Sequence, residues 1–489
     1  MELRTKWGVL AASVLLAATL TPVAALARTS DKDVPDVSIN ITGLTSGDTV
    51  TAYQVFDADI DASNQVVYTA ASGLPEKYDT VDELSGLDTD AKKKAAAEAY
   101  ASTFTAGTAT GVKTATGTAD ADGKANLTLD SGYWVVVVTT TSGKTKVYQP
   151  TTIDASPVES NGSYSAATLA DTNLKSESVD ITKTVQDKAT QNYVESTDTW
   201  TVGDLVPFKV TTNVPNYPSN SKNATFVIGD TPAAGLEVQA DTIKVTVGGR
   251  TVYENGKATD GVFKAEGGIT TGTNGYTFKF TKDFVLAHLG QTVEVTYQAK
   301  LTKDVKAKDG TTSNTATITF NPNPYSDSTV MPDDTTNERT YGYEFKKVDK
   351  DGNALAGAVF TLYDANGQEV KGADGKALTA TSDANGYVTF KGLGAGTYTA
   401  KETTVPTGKQ KCNDVEFTVS ATGSKSDNPA TANVIETNFT NGADVKDPDR
   451  GILPTTGEAG TMALTIGGAG LLVVGIAVLV RNRKQSDEA

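Results

Sequence analysis

The sequence predicts an all-β protein: three immunoglobulin-like β-sandwich domains in tandem, with a cleaved N-terminal signal peptide and a C-terminal transmembrane helix. Three observations carry this expectation. Short runs of Thr, Val, Tyr and Phe alternate with polar residues, as in Thr242–Val247, Tyr276–Phe280 and Val293–Tyr297, and Gly, Asn and Asp punctuate them. Two stretches, 155–178 and 321–340, turn rich in Ser, Asn, Thr and Asp and read as linkers or long loops. Each end carries an apolar run beside basic residues.

The N-terminal run, Trp7 to Leu20, follows Arg4 and Lys6 and is followed by Ala25-Leu26-Ala27, so residues 1–27 read as a signal peptide cut after Ala27. At the other end come Leu453, Pro454, Thr455, Thr456 and Gly457, then an uncharged run 462–480, then Arg481, Arg483 and Lys484. As a helix that run is about 28 Å long, enough to cross a bilayer core. The basic cluster stays on the cytoplasmic side, which leaves the pentapeptide outside. The three parts in this order form the cell-wall sorting signal that a sortase cuts between Thr456 and Gly457, over residues 453–489.

Between the ends, the expected domains are 28–177, 178–330 and 341–445, with a short polar tether, 443–452, before the pentapeptide. One helix is expected, Asp88 to Tyr100, rich in Ala and Lys, crossing between strands of the first domain. The formal net charge of −16 argues against nucleic acid as a partner and suits a soluble exterior protein. With one cysteine, Cys412, no disulfide can form within the chain; the thiol reads as a small buried residue. With one histidine, His288, a histidine triad or metal cluster is nearly excluded, and no cofactor is expected. His288 reads as part of a packed helical turn.

An exported chain without disulfides needs another covalent brace, and the sequence offers lysine, carboxyl and asparagine sets. In the second domain Val179, Ile181, Lys183 and Val185 share one strand face, which places Lys183 in an apolar row. A buried lysine is costly unless neutral or consumed. Asn314 shares a face with Ala316, Ile318 and Phe320, and Asp230 is placed to lie between the two. Such a trio can form an amide: a neutral Lys183 amine attacks Asn314, and a protonated Asp230 stabilises the developing oxyanion. On the residues alone, a snorkelling lysine, a turn asparagine and a capping aspartate explain the trio better. The third domain repeats the set, with Tyr343, Phe345 and Lys347 on one face and Glu402 on the face of Tyr398 and Ala400. Its acceptor candidate is Asn438, with Asn441 as the alternative.

These residues carry a resemblance that covers nearly the whole chain. The run Thr201–Phe208 is similar to collagen-adhesin A-type domains. Lys347-Val348-Asp349, the Leu355–Phe360 run, and Gly396-Thr397-Tyr398 before Glu402 are similar to the B-type. Thr51–Asp57 resembles pilin N-terminal domains. Taken together the chain resembles a sortase-assembled backbone pilin of Gram-positive bacteria. The resemblance implies amide crosslinks Lys183–Asn314 with Asp230 and Lys347–Asn438 with Glu402.

It further implies a structural, non-enzymatic shaft subunit of a surface pilus, whose only chemistry is single-turnover amide formation. Thr456 would be joined by sortase to a lysine of the next copy, and finally to peptidoglycan. Its partners would be sortase, other copies of the chain, minor pilins and a possible host or matrix ligand. The other reading of the same signals is a monomeric wall-anchored adhesin. Pilins of this kind often carry the polymerising lysine in a Tyr-Pro-Lys stretch, but Val147-Tyr148-Gln149-Pro150 has none. Lys175 is the candidate in its place, with Lys144 and Lys146 behind it.

Overall fold

The computed structural model describes residues 35–105, 112–141, 146–305, 311–372, 374–420 and 439–449. The expected signal peptide, the pentapeptide 453–457, the expected span 462–480, Lys144 and Asn438 lie outside them. The described residues form three successive β-sandwich units, each built from two main sheets around its own apolar core.

In the first unit, strand Gly132–Thr140 is buried over seven successive residues. Strand side chains alternate between faces, so both faces of this strand must be covered. Trp134, Val136 and Val138 point into the sandwich. Tyr133, Val135 and Val137 point the other way, against a helix spanning Asp90–Thr105. That helix supplies Ala96, Ala97, Tyr100, Ala101 and Phe104, so small residues bring it close and two rings fill the gap. It overlaps the expected helix and ends five residues later.

The second unit packs a larger pair of sheets. One contains Ile181–Gln186, Leu205–Asn213 and Thr292–Leu301; the other contains Phe226–Pro232, Thr311–Phe320 and Asp333–Arg339. Leu205–Asn213 buries every second residue, Val206, Phe208, Val210 and Thr212, the pattern of a sheet with one face to the core. His288 closes a short helix, Lys282–Ala287, and its ring stacks on Phe284 at 3.9 Å, as the sequence suggests. In the third unit Tyr341–Asp349 lies between Tyr387–Leu393 and two short parallel segments, Phe439–Asn441 and Val445–Asp447.

Neither expected stretch is a linker between units, although residues 321–332 form a long loop within the second unit. Residues Thr172–Asn173 add to the first unit beside Val37–Thr42, and Ser176–Ser178 pair with Lys146–Tyr148. Asp333–Arg339 is a full strand of the second unit, paired with Thr311–Phe320. Polar residues disguised it: Thr336 and Glu338 face inward and are buried, where a strand pattern would call for apolar side chains. Only Thr340 separates that strand from the first strand of the third unit.

The joints are therefore made by direct contact. Between the second and third units, Val202 N–H donates to Gly392 O at 2.7 Å and Ala395 N–H to Asp198 O at 2.6 Å. Tyr341 donates to the Asp198 carboxylate at 2.6 Å. Between the first and second, Ser219 donates to Glu98 at 2.7 Å and Gln149 to Asn216 O at 2.8 Å. Gly203 has φ +104°, and a Cβ there would lie 2.6 Å from the Gly372 carbonyl oxygen. Gly203→Ala is therefore expected to open the joint at a cost of roughly 1–3 kcal/mol. Small-angle scattering should then report a more flexible pair, with the melting of the first unit unchanged; an unaltered profile would show that the joint does not need this glycine.

Candidate functional site: two buried lysines

The second unit brings the predicted trio together. Lys183, Asp230 and Asn314 come from three strands, Ile181–Gln186, Phe226–Pro232 and Thr311–Phe320, and at most 3 % of any of them is exposed. The Lys183 ammonium donates to Asp230 Oδ2 and to the Tyr297 hydroxyl. Tyr297 donates to Asp230 Oδ2 at 2.8 Å and accepts from Asn314 Nδ2 at 2.9 Å. One hydroxyl thus joins amine, carboxyl and amide, using its single donor and both lone pairs. The ring centroids of Phe208 and Tyr297 lie 5.1 Å from the Lys183 nitrogen, and the rings form the apolar walls.

Burial dominates the electrostatics. It pushes the Lys183 ammonium down, against the pull of Asp230, and pushes the Asp230 carboxyl up, against the pull of Lys183. Both shifts favour proton transfer to the carboxyl, which leaves a free amine beside a neutral acid. Asp230 Oδ1 and Asn314 Oδ1 have no hydrogen-bond partner as they stand. Tyr297 bridges the two side chains, and a proton on the Asp230 carboxyl is what stabilising an oxyanion at Asn314 requires. Gly275 lets the strands close here: a Cβ at its φ of +113° would lie 1.9 Å from the Asp230 carbonyl oxygen.

Sequence reasoning missed two members of this site. Tyr297 shares parity with Val293 and Val295, so its inward direction was readable. Glu338 was hidden in the supposed linker. It is 1 % exposed, and burial pushes its carboxyl up to about 8, against the pull of Lys183. It is a second buried acid that acts on the amine, beside Asp230.

In the third unit Lys347 and Glu402 meet as expected. Both are buried, with Lys347 Nζ 3.7 Å from Glu402 Oε1. Glu402 Oε2 is fixed by the backbone N–H of Cys412 at 2.9 Å. Cys412 is buried, as expected, and burial pushes its thiol up to about 11. Asn438 lies outside the described residues, and Asn441 pairs opposite Glu344, three positions short of Lys347 along the strand. The group that meets the lysine is the carboxyl of Asp447, which is fully buried and accepts from Lys347 Nζ at Oδ1. The sequence reading placed Asp447 in the exposed tether. The chain instead continues as a strand to Asp447, parallel to Lys347–Asp349.

Lys175 does not lie in a mobile linker. Its carbonyl accepts from Gln149 N–H at 2.8 Å, and Leu174 beside it is 2 % exposed. The Lys175 side chain is exposed. It thus stands across from Gln149-Pro150, the stretch where the resemblance places a lysine. Lys146 is half-buried within the strand paired to Ser176–Ser178.

Comparison with known proteins agrees with this architecture. Residues 342–432 match the SpaA prealbumin-like fold domain, and residues 452–487 match the LPXTG cell wall anchor motif. No curated protein matches the chain. Among solved structures, the T6 backbone pilin of serotype M6 Streptococcus pyogenes superposes with a TM-score of 0.62 at 19 % identity, over 81 % of this chain and 82 % of that one. The full-length major pilin SpaD from Corynebacterium diphtheriae gives 0.53 at 16 % identity, over 87 % and 99 %. The chain therefore has the fold of backbone pilins and carries an LPXTG cell wall anchor.

Proposed function

We propose that the protein is the shaft subunit of a covalently polymerised surface pilus, braced from within by amide bonds at its buried lysines. The observation that carries this is the Lys183 site. A lysine, a carboxyl and an asparagine sit fully buried around one tyrosine hydroxyl, with burial pushing the proton from amine to acid. The amine attacks Asn314 Cγ, Asp230 holds the developing oxyanion, and ammonia leaves with the proton. The bond closes a loop of roughly 130 residues, worth about 5 kcal/mol if the disulfide chain-entropy relation transfers. No cofactor enters the step.

Polymerisation requires an exposed amine far from Thr456. The second unit meets the third through its Gly203 and Leu301 end, and meets the first through Asn216, at the opposite end. Lys175 belongs to that opposite end, on a backbone held by Gln149. A sortase intermediate at Thr456 of one copy, passed to Lys175 of the next, gives an open head-to-tail fibre.

Two outcomes test this reading. The purified chain without its end signals should be short by one ammonia through the second unit. Asp230→Asn should restore that ammonia, and Tyr297→Phe should slow bond formation about tenfold or more, read as a mixture of linked and unlinked mass. Equal masses for the parent and Asp230→Asn would remove the role given to Asp230. On wall extracts run on denaturing gels, the parent should give a ladder of high-mass species. Lys175→Ala should reduce it to a wall-linked monomer while Lys146→Ala leaves it intact. A single band from the parent would favour the monomeric adhesin.

A further inference from the structure

We infer that the third unit closes through a lysine–aspartate amide, Lys347 Nζ to Asp447 Cγ, and not through an asparagine. The inference deepens the reading above, since it depends on the buried lysines being consumed.

The geometry leads there from three sides. Lys347 and Asp447 are both fully buried, and the ammonium donates directly to Asp447 Oδ1. The two parallel segments set this contact: Lys347 pairs with Val445, and Asp447 follows two positions on, on the same strand face. The neighbouring segment is out of reach. Its first described residue, Phe439, pairs with Gly342, five positions before Lys347, or roughly 16 Å along a strand. Asn441 is three positions away, or roughly 10 Å.

The second side is charge. One ammonium faces two buried carboxyls, Asp447 and Glu402. If both were ionised, an unpaired negative charge would remain in the core. Asp447 Oδ2 and Glu402 Oε1 are both buried without a hydrogen-bond partner. One proton on the carboxyl pair removes the excess charge and supplies a donor.

The third side is chemical balance. A lysine ammonium and an aspartate carboxylate condense to an amide and one water. The C–N bond forms at Asp447 Cγ, one C–O bond breaks, and the two protons shed by the nitrogen leave with that oxygen. Glu402 gives its proton to the Asp447 oxygen as the amine adds and takes one back as water departs, so it ends as it began. No oxidant, metal or co-reactant is needed. An asparagine acceptor would release ammonia instead, and the difference is readable by mass.

The experiment is high-resolution intact mass of the chain without its end signals, with sequencing of crosslinked peptides. The expected deficit is one ammonia plus one water, with the peptide of Lys347 joined to that of Asp447. Asp447→Ala should keep only the ammonia loss. Asp447→Asn keeps the shape and, where it reacts, should exchange the water for a second ammonia. Asn438→Ala and Asn441→Ala should change nothing beyond their own masses. A deficit of two ammonias in the parent, or a linked peptide ending at Asn438 or Asn441, would overturn the aspartate assignment while leaving the braced-shaft reading in place. A loss of ammonia alone would mean that Lys347 stays free, and no deficit at all would overturn both.

Discussion

A lysine in an apolar core must lose its charge or be paired, and that constraint organises this protein. Lys183 and Lys347 are among its largest fully buried side chains. Each sits on the first strand of its unit. Each is met by a carboxyl from a strand of the opposite sheet, Asp230 and Glu402. Burying an ion pair is not in itself a strong source of stability, because the desolvation of both charges opposes their attraction. Consuming the lysine in an amide, with the helper acid left protonated, removes the charge altogether. At Lys183 the same burial that makes the unreacted state costly also favours the proton on Asp230 and the free amine.

Consumption of the lysines has a mechanical consequence on the proposed linkages. Tension entering at Lys175 runs the short way to Lys183, crosses to Asn314, continues to Lys347, crosses to Asp447, and leaves toward Thr456. The strands between each pair of linked residues, which hold nearly all the core of both units, carry none of it. The first unit, which precedes Lys175, stands beside the path. Direct contacts at both joints keep the units aligned, with Tyr341 and Asp198 at one and Glu98 and Ser219 at the other.

Much of this was legible in the sequence because it rests on period-two alternation. Val179, Ile181, Lys183 and Val185, and Asn314 with Ala316, Ile318 and Phe320, could be assigned to one face by parity alone. What escaped were strands whose inward residues are polar or too few. Thr336 and Glu338 made a core strand look like linker. Val445 and Asp447 gave a segment too short to show a period, so the tether was drawn from 443 when the third unit runs on to Asp447. Lys175 was chosen as the lysine just before the second domain; its position opposite Gln149 is a matter of pairing between distant segments, which no local pattern carries.

On these linkages, covalent closure keeps the second and third units out of the load path. It is tested most directly by single-molecule pulling between position 175 and the end of the third unit. The account predicts no unfolding step from either unit up to forces that break covalent bonds. A step releasing about 100 residues, on the order of 330 Å of extended chain, would contradict it.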